Sequence, residues 1–216
     1  MYRILKFPYV EKDNHFWTSD LHNFHDPKWD IPIWKQRGYS SPHESYIDAS
    51  HKINDRVKSG DHLWLLGDSF LSCGDTDVMN WFNGIICQNI HILFGNHESQ
   101  LYRIYKSHVL EQYGSDEIEV YPLRVGNLIF SGNHQEILIG KQLIVMNHFP
   151  LHSHNKAARS SWNLSGHSHR TDNTRGPSHP TGKRLDIGWD IKLDIWSYDE
   201  ILDVMSTKEI FSPDHH

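Results

Sequence analysis

The chain has 216 residues, of which 38% are hydrophobic and 22% charged, so it suits one domain with a sizeable core and neither a disordered segment nor a membrane protein. Its formal net charge is −6 and its pI is near 6.3, which argues against a broad electrostatic grip on duplex nucleic acid. A single phosphate group remains a fitting ligand wherever bound cations supply the positive charge.

No linker, repeat or low-complexity tract divides the chain, so residues 1–216 are expected to form a single domain. Short apolar runs bounded by polar residues or Gly predict strands at 15–19, 62–66, 91–94, 118–123, 128–131, 136–139, 142–146, 162–165 and 184–187. Between the first two, Ser41-Pro42-His43-Glu44 spells a capping box with Pro at the first helical position. Tyr46, Ile47, Ile53 and Val57 follow near a helical period, and Gly60 suits the stop. Further helices are predicted over about 76–83, ending at Asn83-Gly84, and about 98–113, before Gly114. Helices alternating with the early strands, then a run of hairpin-like strands, predict an α/β domain with two packed mixed sheets.

Cys73 and Cys87 have no metal-type spacing and cannot make a disulfide framework. The stretch "MYRILKFPYV" lacks the apolar centre of a signal peptide, and no apolar run approaches the roughly 20 residues of a spanning helix. A cytoplasmic protein without membrane contact is expected.

The unusual count is 18 histidines, since imidazole is the commonest metal ligand. Two stretches share a tripeptide, "FGNHE" at 94–98 and "SGNHQ" at 131–135. The first lies between a predicted strand and a predicted helix, where α/β sheets place ligands and helix N–H groups attract phosphate. The second sits between short strands and reads as a turn in an antiparallel meander, so His134 is expected to be structural. The remaining strand ends gather a set: Asp20 and His22, then Gly67 and Asp68, then Asn96 and His97, then Asn147 and His148, then Gly166, His167 and His169. Each alone is as readily structural as functional. Five in order at five strand ends point to a metal site, with neighbouring Gly residues expected to let the backbone turn sharply.

This series resembles the calcineurin-like metallophosphoesterase superfamily, whose motifs run D-x-H, G-D, G-N-H-[DE], H and G-H-x-H. They stand here as "DLH" (20–22), "GD" (67–68), "GNHE" (95–98), "NHFP" (147–150) and "GHSH" (166–169). A narrower likeness, to compact bacterial and phage-type phosphoesterases, rests on "SDLHNFH" with His25, "RGYSS" with Arg37, "INDRV" with Asn54, and "LDIGWDIKLDIWSYDEI" (185–201), which looks like that branch's final turn and helix. The resemblance implies an α/β/β/α sandwich and a two-metal site. Asp20, His22 and His169 would hold one ion, Asn96, His148 and His167 the other, and Asp68 would bridge them. His97 would stay off the metals and face the leaving group. Manganese is the first expectation, and the mixed N and O donors equally suit iron, zinc or nickel.

The chemistry implied is hydrolysis of a small phosphodiester, such as a nucleotide, by in-line attack of a hydroxide bridging the ions. A phosphomonoesterase is the runner-up. A third reading, an inactive protein-binding scaffold of this fold, fits poorly with a full ligand set and His97. Arg37 could clamp a phosphate through its guanidinium fork, and His25 is a second candidate for substrate contact. Two departures stand out. "GDSFL" places Leu71 where many members have a second Asp, which weakens a phosphoprotein-phosphatase reading and leaves His97 without an orienting partner. "HNFH" lacks the branch's Gly before the second His. Trp29, Trp34 and Tyr39, interleaved with Lys28, Lys35 and Arg37, are expected to pack on the domain rather than stack on a nucleotide. His152 and His154 could line the pocket. The sequence does not fix an oligomeric state, and a phage source would place the protein in the host cytoplasm.

Overall fold

The structure is a computed structural model that describes residues 4–28, 30–169 and 182–211. Among these residues the strands are β1 (Leu5–Phe7), β2 (His15–Thr18), β3 (His62–Leu66), β4 (Asn89–Leu93), β5 (Leu123–Val125), β6 (Leu128–Phe130), β7 (His134–Ile139), β8 (Gln142–Asn147), β9 (Trp162–Ser165), β10 (Arg184–Asp186) and β11 (Trp196–Ser197). The α-helices are α1 (Ile33–Gln36), α2 (Pro42–Arg56), α3 (Asp75–Asn83), α4 (Ser99–Tyr113) and α5 (Tyr198–Ser206). Six strands form one mixed sheet in the order β11-β2-β3-β4-β6-β5, and five form the other, β1-β7-β8-β9-β10.

The central strands β2, β3 and β4 are mutually parallel and nearly wholly buried, which is why they read as unbroken apolar runs. Alternate residues serve two cores. Phe16, Leu63, Leu65, Ile90 and Ile92 face α2, α3 and α4 through Ala49, Ile53, Val78, Phe82, Leu101 and Tyr105. Trp17, Trp64, Leu66 and Leu93 face the second sheet through Ile137, Ile144, Met146 and Leu164. Ile201 and Met205 bring α5 into this inter-sheet core beside the edge strands β10 and β11.

The two mixed sheets pack as the expected sandwich, with α2, α3 and α4 covering the first sheet, and the segment 149–160 between β8 and β9 holds a 3-10 turn, Ala157–Arg159. This segment is held down by Asn155 Nδ2 donating to Glu136 Oε2 (2.8 Å) and Leu151 N donating to Asn163 Oδ1 (3.3 Å).

Local signals worked where the backbone obeyed them. Ser41 Oγ accepts from Glu44 N at 3.1 Å and caps α2. The return arm differs from a capping box, because Glu44 Oε2 takes Ser40 N at 2.6 Å. The helix ends at Arg56, ahead of Gly60, because Val57 turns extended and Asp61 Oδ2 closes a tight turn by accepting Lys58 N at 2.8 Å. The strand expected at 118–123 does not form: Pro122 has no N–H to pair, and Val120 N is taken by the Tyr105 hydroxyl at 2.8 Å. The second GNH stretch is not a hairpin within one sheet. It is the crossover from β6 in the first sheet to β7 in the second, whereas β7 and β8 form the expected hairpin around Gly140-Lys141.

Candidate metal centre

Strands β2, β3, β4, β8 and β9 end at one rim, and each delivers the residues expected from its terminus. The loops lace together through the backbone. Asp20 N donates to Gly67 O and His22 N to Asp68 O, both at 3.0 Å, and Gly166 N donates to His148 O at 2.9 Å. Carboxylates complete the lacing, with His97 N on Asp68 Oδ1 at 2.8 Å and His167 N on Asp20 Oδ2 at 2.9 Å.

The donor atoms fall into two sets that meet at one oxygen. In the first, His22 Nε2 lies 3.0 Å from His169 Nε2 and 3.9 Å from Asp20 Oδ1, which is 3.7 Å from His169 Nε2. In the second, Asn96 Oδ1 lies 3.0 Å from His148 Nε2 and 3.1 Å from His167 Nδ1. Asp68 Oδ2 stands between them, 3.3 Å from His148 Nε2 and 3.9 Å from His22 Nε2. Ligand bonds of about 2.0–2.2 Å separate neighbouring donors around one ion by roughly 3–3.5 Å; the His–His, His–Asn and His148–Asp68 distances fall in that range, and the Asp20 and His22–Asp68 distances of 3.7–3.9 Å lie just beyond it. Asp20 also groups with Asp68 and His148, so its carboxylate borders both sets.

The second layer of contacts fixes which nitrogen carries the lone pair. His148 Nδ1 donates to Leu66 O at 2.8 Å, leaving a bare Nε2 aimed at two acceptors, Asp68 Oδ2 and Asn96 Oδ1. His169 Nδ1 donates to Asp190 Oδ2 at 2.8 Å, leaving Nε2 aimed at His22. His22 Nδ1 is buried with no partner. With the imidazoles neutral, acceptors face acceptors here and a positive group between them satisfies both sides; carboxylate- or carbonyl-backed imidazoles are how proteins orient metal ligands. The residues therefore fit a divalent ion at each set.

Five of the seven expected ligands, Asp20, His22, Asp68, His167 and His169, have φ between 41° and 70°. Non-glycine residues rarely enter this left-handed region, and clusters of them mark sites where side-chain aim outweighs backbone comfort. Of the motif glycines, Gly67 turns as expected, at φ +96°, whereas Gly95 and Gly166 serve close approach. A Cβ on Gly95 would overlap Asp68 Oδ1, and one on Gly166 would overlap Ser19 Oγ and Asp20 Oδ2, although neither glycine has a positive φ.

The electrostatics show the strain of crowding these groups. Burial pushes the Asp20 carboxyl up to about 6, against the pull of His148 and His169. Burial opposes ionisation of Asp68 as well, but His148 and the His97 N–H outweigh it and hold Asp68 below its ordinary value. His22 and His167 are lowered by burial and then by a neighbouring imidazole. Burial also opposes charge on His148, but Asp68 and Asp20 raise it, and the Asp190 hydrogen bond raises His169.

His97 stands on the loop between β4 and α4, exposed, its ring 5.9 Å from that of His22. Its imidazole has no hydrogen-bond partner among the described residues, and Leu71 supplies none. Phe149, half exposed, packs its ring 4.5 Å from that of His167. His25 borders the site 6.1 Å from the His22 ring, its Nδ1 accepting from Ile33 N at 3.4 Å.

Arg37 is a correction to the expected phosphate clamp. It is buried, and its guanidinium is turned inward, with Nε on Asp190 Oδ1 (2.8 Å), Nη2 on Asp190 Oδ2 (3.1 Å) and Asp20 O (2.5 Å), and Nη1 on Leu21 O (2.6 Å). It ties the loop carrying Asp20 and His22 to the carboxylate that orients His169. His154 bonds Ser161 O and His152 lies beside Phe211, so neither contacts the ligand set. Trp34 is half-buried and donates Nε1–H to Asp26 Oδ1 at 3.3 Å, and Trp29 lies outside the described residues.

Sequence reasoning missed Asp190 as a partner of His169 and Arg37. It also missed Glu98, buried behind the site with Oε1 accepting Ser69 N at 2.5 Å. The only signal for Asp190 was its place in the quoted 185–201 segment, which names no partner.

No family model matches the chain, and none of the curated proteins does. Among solved structures, it is similar to the protein of unknown function AQ665 from Aquifex aeolicus, at 14% identity and a TM-score of 0.57, over 88% of this chain and 98% of that one. At that identity the likeness speaks for the fold alone.

Proposed function

We propose that the chain is a metal-dependent phosphoesterase of the calcineurin-like type with a preference for diesters. The observation that carries this reading is Asp68 Oδ2, set between two groups of lone pairs 3.3 and 3.9 Å away, with Asp20, His22, Asp68 and His148 buried and Asn96, His167 and His169 at the exposed mouth. Two divalent ions at these sets would supply Lewis acidity and neutralise the anionic phosphorus centre. Asp20, His22 and His169 would hold one, Asn96, His148 and His167 the other, with Asp68 shared.

The protein's own contribution follows from its contacts. Leu66 O and Asp190 keep the protons of His148 and His169 on Nδ1, so both Nε2 lone pairs face the site. The Asp68–His97 backbone bond anchors the His97 loop beside the shared carboxylate. His97, exposed at the rim, is placed to protonate a departing alkoxide. Diester preference rests on the absence of an Asp at Leu71, which leaves His97 without the orienter that phosphoprotein phosphatases of this type carry.

The test is hydrolysis of bis(p-nitrophenyl) phosphate against p-nitrophenyl phosphate by chelator-stripped protein given back Mn²⁺. Faster diester turnover, abolished by chelator, is expected. Monoester preference would replace the diester reading, and no turnover of either ester with Mn²⁺, Fe²⁺, Zn²⁺ or Ni²⁺ would overturn the enzyme reading.

A further inference from the structure

The second GNH stretch, set aside in the sequence as punctuation, borders a cavity of about 480 Å³ that the metal centre does not use. It opens at the edge of the sandwich, between β1 and β7 of one sheet and the end of β6 in the other. Its walls include Tyr102 of α4, Glu119, Tyr121, and Asn133, His134 and Gln135 of the crossover.

The position is the first clue. β6 is hydrogen-bonded parallel to β4, so Ser131, Gly132 and Asn133, which follow β6, lie at the same carboxyl end of the sheet as Asn96, which follows β4 on the neighbouring strand. The second clue is that the cavity wall and the metal loops are tied to each other. Phe94 N, two residues before Asn96, donates to Gly132 O at 2.9 Å. Asn147, immediately before His148, accepts at Oδ1 from His134 Nδ1 at 3.2 Å and donates from Nδ2 to Asn133 O at 3.3 Å. Tyr102, in the first turn of α4, has its ring 5.4 Å from that of Phe94 and is 40% exposed.

The lining chemistry sets the ligand class. Two tyrosine rings supply flat apolar area, and the exposed Asn133 side chain supplies an amide donor and acceptor, whereas His134 and Gln135 are engaged with Asn147 and Glu136. Glu119 is the charged group, and no Lys or Arg appears among the described residues of the wall. A second phosphate would find no counter-charge there, whereas a flat, uncharged ring with hydrogen-bonding edges finds both stacking surface and polar partners.

We propose that this cavity receives one organic arm of the phosphoester, a nucleobase or similar heterocycle, and that Tyr102 and Asn133 are its specificity-determining residues. The proposal rests on the phosphoesterase reading for its use, but not for its ligand chemistry.

The experiment compares kcat/KM for the p-nitrophenyl ester of thymidine 5′-monophosphate with that for methyl p-nitrophenyl phosphate, in wild type, Tyr102→Ala and Asn133→Ala. Circular dichroism checks the fold of each variant. Both variants are expected to lower the ratio of the two constants by about 10-fold or more. A ratio within two-fold of wild type in both variants overturns the cavity assignment while leaving the phosphoesterase reading intact. If Tyr102→Ala does not fold, because its ring packs on Phe94, Asn133→Ala on its exposed turn decides alone. If wild type hydrolyses neither ester, the phosphoesterase reading has failed. Saturation-transfer NMR with thymidine then decides the cavity: signal lost in the variants supports it, and no signal in wild type overturns it.

Discussion

Replacing Asp190 with Ala should both destabilise the fold and loosen metal binding, and the two effects can be pulled apart. Asp190 bridges the buried Arg37 guanidinium and His169 Nδ1, with side-chain exposures of 2% for Arg37 and 13% for Asp190. Removing one partner of a buried ion pair costs about 3–5 kcal/mol, because it strands the other charge. Arg37 keeps its bonds to Asp20 O and Leu21 O, so the lower figure applies, about 3 kcal/mol. For a chain of this size that lowers Tm by about 6–12 °C, measured by circular dichroism with chelator present. Mn²⁺ affinity by calorimetry should fall about 10- to 100-fold, since His169 loses the carboxylate that holds its tautomer. In Asp190→Ala with Arg37→Met, the stranded charge is gone and most of the Tm should return, while Mn²⁺ affinity stays low. A Tm within 2 °C of wild type for Asp190→Ala, or full recovery of metal affinity in the double variant, would refute the reasoning.

Other outcomes follow from the same geometry. His97→Ala should keep its full metal content and lose about 10²- to 10⁴-fold in kcat, read by metal analysis and diester turnover on one sample. Gly95→Ala should push aside Asp68 and abolish Mn²⁺ binding while far-UV circular dichroism stays native, because its Cβ would overlap Asp68 Oδ1. Metal binding should weaken as pH falls through about 6, where Asp20 takes a proton and competes with the ion, with His148 and His169 already raised in the same direction; calorimetry at pH 5.5 and 7.5 checks this. Away from the site, His15 is fully buried, and burial lowers it from 6.5 to about 3. The unfolded chain then binds a proton below pH 6.5 that the folded chain refuses, so stability is present above 6.5 and is lost as pH falls toward 3. The total is roughly 3–5 kcal/mol, and denaturant melts of His15→Phe in chelator should show a shallower acid loss than wild type.

How legible this protein was depends on how local each feature is. Strands 62–66 and 162–165 matched residue for residue, because apolar runs buried on both faces stop abruptly at polar rims. The run at 118–123 carried the same composition and failed, since one proline and one tyrosine hydroxyl from α4 removed its pairing. Strand β11, at two residues, is too short to leave a pattern. The clustered residues were readable because each follows a strand end, three of the five groups beside a glycine, all within a few residues. Arg37 was misread for the opposite reason: beside an aromatic and basic loop it looks like a clamp, and only Asp190, 153 positions away, turns it inward. The second GNH was recognised as a turn, but its place at the metal rim comes from a crossover between sheets that no local pattern announces.

The central claim is that seven side chains hold two ions around Asp68. It is tested most directly by metal content, measured by inductively coupled plasma mass spectrometry after equilibrium dialysis of stripped protein against Mn²⁺. Two ions per chain in wild type, with loss of both in Asp68→Ala, is the result this account predicts. Fewer than one ion per wild-type chain at saturating Mn²⁺, Fe²⁺, Zn²⁺ and Ni²⁺ would contradict it.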